Sequence, residues 1–303
     1  MDIIEVTAVK KLRHIQRSRG QHWVGDGFPV RTLFGYSSLG AELSPFLLFD
    51  YAGPMVFPPT DKRLGVGEHP HRGFETVTIV YSGEVEHRDS SGGGGGIGPG
   101  DVQWMTAASG LVHEEMHSRG FAKRGGMFEM VQLWVNLPAK DKMSLPRYQN
   151  IMNRQIPVVD LPGGQGVARV IAGTFGEVAG PARTFTPINV WDLRLTGGRE
   201  IRLPVPDGHT TLLAVLKGSV RLEGEHGLET LESAEVGLFH REGDHVRLEG
   251  SRDATVMLLS GAPIDEPIVG SGPFVMNSAE EIRQAIMDYQ RGRMGRIPIA
   301  EEA

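Results

Sequence analysis

Two short stretches, HPHRGFETV (residues 69–77) and GLVHEEMH (residues 110–117), set the reading of the whole chain. In an extended strand, residues i and i+2 point to the same face. His69 and His71 can therefore converge on one point, and so can His113 and Glu115. Pro70 has no N–H to give to a sheet, which places the first stretch at a strand edge or entrance. Glu75 shares the parity of His69 and His71. Two such strands meeting across a barrel supply three imidazoles and one carboxylate. That set suits a divalent transition metal: Fe(II), Mn(II), Ni(II), Cu(II) or Zn(II). With one carboxylate the core keeps one net positive charge, which favours an anionic oxygen ligand in any open position. His87 and His117 are expected in turn and surface roles rather than as ligands. His117 is the better placed of the two, because it continues the parity of His113 and Glu115.

Around these stretches, short apolar runs recur at 75–81, 102–106, 127–137, 167–172, 190–195, 210–216, 219–223 and 255–259, each bounded by Gly, Pro, Asp or Ser. Together with 41 glycines and 19 prolines, this spacing predicts an all-β sandwich or barrel fold. A chain of 303 residues is long enough for two domains. VYSGEV (80–85) resembles VLKGSV (215–220), a weak internal repeat with a shift of 135 residues. Under that shift His69, His71 and Glu75 fall on Pro204, Pro206 and Thr210, so the second copy is expected to lack a metal of this kind. The expected boundaries are 1–142 for an N-terminal metal-binding domain, 143–166 for a linker, 167–276 for a second domain, and 277–303 for a helix and tail. Ser278 and Glu281 form an S-x-x-E capping box. Ile282, Ile286 and Tyr289 then share one helical face, and the tail from residue 292 is expected to be loose. The glycine run 92–96 reads as a flexible surface loop.

The net charge of −6 argues against polyanion binding overall. The one basic cluster, KKLRHIQRSR at 10–19, is expected to be a solvated strand and turn. With no cysteine, disulfides are excluded and metal ligands must be nitrogen or oxygen. The N-terminus does not look like a secretory signal, and no stretch approaches the ~20 apolar residues of a spanning helix. The expected location is the cytoplasm, or the nucleus in a eukaryotic source.

H-x-H followed by Glu75 and a turn glycine at Gly83 resembles the first cupin motif, with one extra residue before the glycine. Gly110 followed by His113 resembles the second, with Ala108 where a proline is usual. More specifically, HPHRGFETV, PGDVQWMTAASGLVHEEM, VQLWVNLP and the C-terminal GPFVMN with EEI-x-QAI-x-DY resemble the pirin family over residues 15–290. The resemblance implies two tandem cupin (jelly-roll type) β-barrel domains with a short C-terminal helix. It also implies one metal, usually iron, held by His69, His71, His113 and Glu115, with Glu75 outside the ligand set; strand parity alone leaves Glu75 and Glu115 both open. The functions it implies are of two kinds. One is a quercetin 2,3-dioxygenase-type, ring-cleaving oxidoreductase, in which Glu115 or Glu75 takes the flavonol proton. The other is an iron-dependent redox-sensing regulator that binds a transcription factor or a metabolic enzyme. Fold does not choose between them. The expected partners are a flavonol in the first case and a protein in the second, with no direct nucleic-acid or membrane binding. Phe74, Trp104, Met105, Phe128 and Trp134 are candidates for an aromatic pocket wall or for ordinary barrel core. Metal affinity is expected to weaken from pH 7 toward 5 as free imidazoles protonate.

Overall fold

The computed structural model describes residues 8–18 and 20–298. The chain is all-β, apart from short helical turns and one longer helix, Ala279–Gln290. The described residues divide into two compact units, neither of which is continuous in sequence: 20–155 with 264–298, and 8–18 with 156–263.

The first unit is a barrel of two sheets. A seven-stranded sheet runs in the order Arg147–Ile151, Val102–Thr106, Phe74–Ser82, Gly126–Asn136, Phe46–Phe57, Phe28–Gly35, Gln21–Val24. A four-stranded sheet runs Gly65–His71, Leu111–His117, Val85–Asp89, Gly94–Ile97. The central strands Phe74–Ser82 and Gly126–Asn136 are rich in Val, Ile, Phe and Trp, and Phe74 to Val80 is buried without a break. The four-stranded sheet behaves differently. Along Val85–Asp89 the odd residues are buried and the even ones half-exposed, as expected for a strand with one solvated face. That alternation carries His87 and Asp89 inside the barrel. His87 was expected in a turn or surface role and is instead only 1% exposed. His117 is also buried, donating Nε2–H to the Gly27 carbonyl at 2.9 Å among Phe28, Phe57, Phe121 and Phe128.

Three other expectations change. The glycine run is not a loose loop, since Gly94–Ile97 pairs with Val85–Arg88. A Cβ on Gly93 would lie 2.4 Å from Asp89 Oδ2 and 2.8 Å from Tyr148 Cβ, so glycine is what lets this chain pass close over those side chains. The stretch 143–166 is not a free linker: Arg147–Ile151 joins the first barrel's sheet and Val158–Asp160 the second's. The tail from residue 292 is packed at Met294 and Ile297, which join Val112 and Ile282 in one apolar cluster; residues 299–303 lie outside the described residues.

The helix Ala279–Gln290 begins as the capping box predicts, with Ser278 Oγ accepting from Glu281 N–H at 3.2 Å. Its buried face is Ile282, Ala285 and Asp288. Ile286 and Tyr289 are 37% and 40% exposed. The face turns because Asp288 is drawn inward to Arg72, at 2.9 Å.

The second unit is a barrel around Ile188–Leu195, Ala254–Gly261 and Thr210–Lys217. The strand Leu12–Arg17 belongs to it, paired antiparallel with Glu235–Phe239 and parallel with Ser219–Gly224. The basic cluster is therefore largely a sheet strand, and Lys10 is buried beneath the carbonyls of His209 and Arg241; Arg19 lies outside the described residues. The interior is filled with aliphatic side chains such as Leu193, Leu203, Leu213, Val215, Leu248 and Leu258. Among the described residues no helix is long and apolar enough to cross a membrane.

Candidate metal centre

Gly65–His71 and Leu111–His117 are neighbours in the four-stranded sheet, with His113 opposite His69 and Leu111 opposite His71. The register slips between His113 and Glu115, so Glu115 faces Val66. The extra residue lies on the Gly65–His71 strand, so His113 and Glu115 keep their common inward face, while Glu115 stands beside Val66 and His87 rather than beside a ligand histidine.

The rings of His69, His71 and His113 lie 4.2–4.9 Å apart, centroid to centroid. One ring nitrogen from each falls within 4.8 Å of the others. Each imidazole has its Nδ1 engaged elsewhere. His69 Nδ1 meets the Gly67 carbonyl at 2.8 Å, His71 Nδ1 the Pro273 carbonyl at 3.2 Å, and His113 Nδ1 the Nδ1 of His87 at 3.3 Å. That leaves Nε2 as the open ligand atom on all three. His113 Nε2 is buried with no hydrogen-bond partner. A buried, orphaned ring nitrogen beside two other imidazoles is what a metal ligand looks like without its metal. The residues therefore fit a bound transition metal.

Burial first, and then the neighbouring imidazoles, hold His71 down to about 3 and His113 well below the usual imidazole range. Both are neutral, as ligation requires.

Glu115 is grouped with His87 and His113 rather than with the three-histidine set. Its Oε1 accepts from Thr78 Oγ1 at 3.0 Å and Gln103 Nε2 at 2.8 Å, and its Oε2 accepts from Gln132 Nε2 at 2.9 Å. Glu75 is fully buried. Its Oε1 accepts from Thr106 Oγ1 at 2.7 Å, and the Trp104 indole N–H faces the same carboxyl. Burial pushes the Glu75 carboxyl up to about 7, against the hydrogen bonds from Thr106 and Trp104 and the charge of Arg147 at 3.7 Å.

Of the five apolar candidates, Trp134 and Phe74 flank His71, at 5.3 and 5.1 Å. Phe128 belongs to the separate cluster around Phe28 and Phe57, and Trp104 and Met105 are core.

Parts of the surroundings were not legible in the sequence. The segment 264–298 closes over His71, giving it the Pro273 carbonyl and pairing Arg72 with Phe274 in an isolated bridge. Gly73, at φ 92°, lies so close to Val275 that a Cβ there would sit 1.9 Å from its carbonyl oxygen. Lys142, buried, donates to the carbonyls of Gly73 (2.7 Å) and Val275 (3.0 Å) and to Asn136 Oδ1 (2.7 Å). A lone lysine in a polar stretch carries no pattern that would announce this.

Two cupin barrels define a bicupin, and among the described residues the candidate metal ligands gather around His113 in the first barrel. The Pirin family model matches residues 27–135, and the model of the Pirin C-terminal cupin domain matches 190–295. This chain belongs to the pirin family. It is 56% identical over 285 residues to a Pseudomonas aeruginosa protein named "Putative quercetin 2,3-dioxygenase", covering 94% of this chain and 98% of the other. It is 37% identical over 276 residues to the protein named Pirin of Mus musculus, covering 89% of each. A crystal structure titled as quercetin 2,3-dioxygenase from Acinetobacter baumannii superposes with a TM-score of 0.92 at 52% identity, over 96% of this chain and all of that one.

Proposed function

We propose that this chain is a metal-dependent oxidoreductase of the quercetin 2,3-dioxygenase type, opening the central ring of a flavonol. The observation that carries the reading is the buried, unpartnered Nε2 of His113 beside His69 and His71. Support for the reaction class comes from the names of the relatives at 56% and 52% identity. The proposed ligands are Nε2 of His69, His71 and His113, with Glu115 as the fourth and iron as the metal. When bound, the metal would supply Lewis acidity toward the flavonol's 3-oxygen.

The chain's own residues would do the rest. His69, half-exposed, stands on the accessible side of the centre, whereas His71 and His113 form its buried floor. Trp134 and Phe74 lie 4.3 Å apart, centroid to centroid and tilted at 33°, beside His71 and would offer an apolar wall to a planar ring system. Glu75 would hold the proton released from the flavonol. Its position near pH 7 suits a group that must take and return a proton. Glu115, with three donors already on its oxygens, is better suited to ligation than to proton transfer.

The test is an anaerobic titration of the metal-loaded protein with quercetin, followed by oxygen and measurement of carbon monoxide. The expected result is a shift of the quercetin visible band, then carbon monoxide release, with both lost in His113→Ala. A metal-loaded protein that neither shifts the band nor releases carbon monoxide would refute the dioxygenase reading and leave the regulatory one.

A further inference from the structure

His87 and Asp89 lie one strand away from His113, fully inside the barrel, with side chains 0% exposed. His87 Nε2 is 3.0 Å from Asp89 Oδ2. Asp89 is otherwise saturated, because its Oδ1 accepts from Ser91 N–H (2.8 Å), Ser91 Oγ (2.6 Å) and Gly93 N–H (3.0 Å). Burial alone would raise its carboxyl, but the hydrogen bonds from His87, Ser91 and Gly93 outweigh this and hold it below the usual range. A carboxylate accepts only, so the proton on the short contact sits on His87 Nε2.

The other nitrogen of His87 is fixed by a separate constraint. Tyr148 stacks on the imidazole at 4.9 Å and 11°, and its hydroxyl donates to Gln103 Oε1 at 3.2 Å. That orients the Gln103 amide with its NH₂ toward Glu115 Oε1 (2.8 Å) and His87 Nδ1 (3.3 Å). A donor therefore faces His87 Nδ1, which must be its lone pair. His113 Nδ1 stands at 3.3 Å from that same atom. Two lone pairs cannot face each other favourably, so His113 carries its proton on Nδ1 and presents a bare Nε2.

We propose that Asp89 and His87 form a relay that fixes the tautomer of His113, with both acting as positioning residues for the metal ligand. The order is Asp89 carboxylate, His87 Nε2–H, His87 Nδ1, His113 Nδ1–H, and then His113 Nε2 aimed at the ion. No proton moves along it in the resting protein; it selects which nitrogen is free. A carboxylate behind a ligating histidine commonly does this directly. Here the carboxylate acts through an intervening imidazole, and Gln103 ties the same device to Glu115. The proposal rests on the reading of His113 as a metal ligand.

The decisive variant is Asp89→Asn. Its carbonyl can keep the Ser91 and Gly93 bonds, which turns its NH₂ toward His87 Nε2. His87 then meets a donor at Nε2 while Gln103 still presents one to Nδ1, so neither tautomer is satisfied and the acceptor that holds the His113 proton on Nδ1 is no longer fixed. The affinity for Ni(II) or Zn(II), measured by competition with a chelator, is expected to fall about 10–100-fold. His87→Phe, which keeps a ring against Tyr148 but removes the acceptor, should fall similarly. Ser91→Ala, which removes one bond to Asp89 without touching the relay, should keep native affinity and so separates the relay from a structural role. In the metal-free native protein with ¹⁵N-labelled histidine, His113 should be protonated at Nδ1. Protonation at Nε2 there, or native affinity in both Asp89→Asn and His87→Phe, would overturn the relay even if the native chain binds metal. A native chain that takes up no metal would remove the ligand reading and the relay with it.

Discussion

The two barrels differ in what fills them. In the second, the 135-residue shift places Pro204, Pro206 and Thr210 where the first has His69, His71 and Glu75, and the interior is closed by leucines, valines and isoleucines. In the first, the four-stranded sheet turns His71, His87, Asp89, His113 and Glu115 inward, and the facing strands answer with Glu75, Thr78 and Gln103. Every one of these groups must be satisfied or ligated, because an unpaired buried polar group costs roughly 1–3 kcal/mol. Two β-barrels thus carry a largely apolar core in one unit and a polar chamber in the other. What decides between them is the residue type at inward positions, not the fold.

The difference can be broken from either side. The largest effect is expected from Leu213→Ala in the second barrel. A fully buried leucine replaced by alanine leaves a cavity and should cost about 3–5 kcal/mol. Metal affinity should stay native, since the candidate ligands and the groups bonded to them fall in 20–155 and 264–298. Denaturant unfolding and chelator competition on the same variant check both halves, and loss of metal affinity here would show that the chamber depends on the apolar core.

The next comparison pairs two buried lysines. Lys142 in the first barrel and Lys10 in the second both donate to backbone carbonyls, and both have pKa values lowered by burial, Lys142 to about 8. Lys142→Met keeps most of the stem but leaves two carbonyls and Asn136 Oδ1 without a donor. We expect a loss of about 2–3 kcal/mol and a weaker metal site, because Gly73 and Val275 border His71. Lys10→Met should destabilise without changing metal affinity. Equal metal affinity in the two variants would remove Lys142 from the support of the site.

Much of this was legible beforehand, for identifiable reasons. Period-2 spacing is a strong local signal, so His69, His71 and His113 could be placed on common faces from the sequence. The register slip between His113 and Glu115 could not, because it depends on how two strands pair. The discontinuous units were missed for the same kind of reason. Nothing local says that strand Leu12–Arg17 will pair with Glu235–Phe239, or that Asp288 will turn inward to meet Arg72. His87 was misjudged because a single histidine between charged residues looks like surface until its strand neighbours Val85 and Asp89 are seen to be buried.

The effect most specific to the polar chamber concerns Glu75. Its folded-state pKa of about 7 lies above the ordinary value of 4.5. Between those two values the folded chain holds a proton that the unfolded chain has released. Stability therefore falls as pH rises through that window, by the linkage between bound protons and unfolding free energy. Above pH 7 the carboxylate is ionised in both states, and the folded protein carries the cost of a buried charge. Glu75→Gln cannot ionise. It should leave the metal-free protein's stability near native at pH 4.5–5 and raise it by about 2–3 kcal/mol at pH 8, as read from urea midpoints. The corresponding position in the second barrel, Thr210, has nothing to titrate, so Thr210→Val should change stability by the same amount at both pH values. A Glu75→Gln midpoint difference that does not grow with pH would mean that the carboxyl is not held up by burial. The proton-holding role given to it would then fall as well.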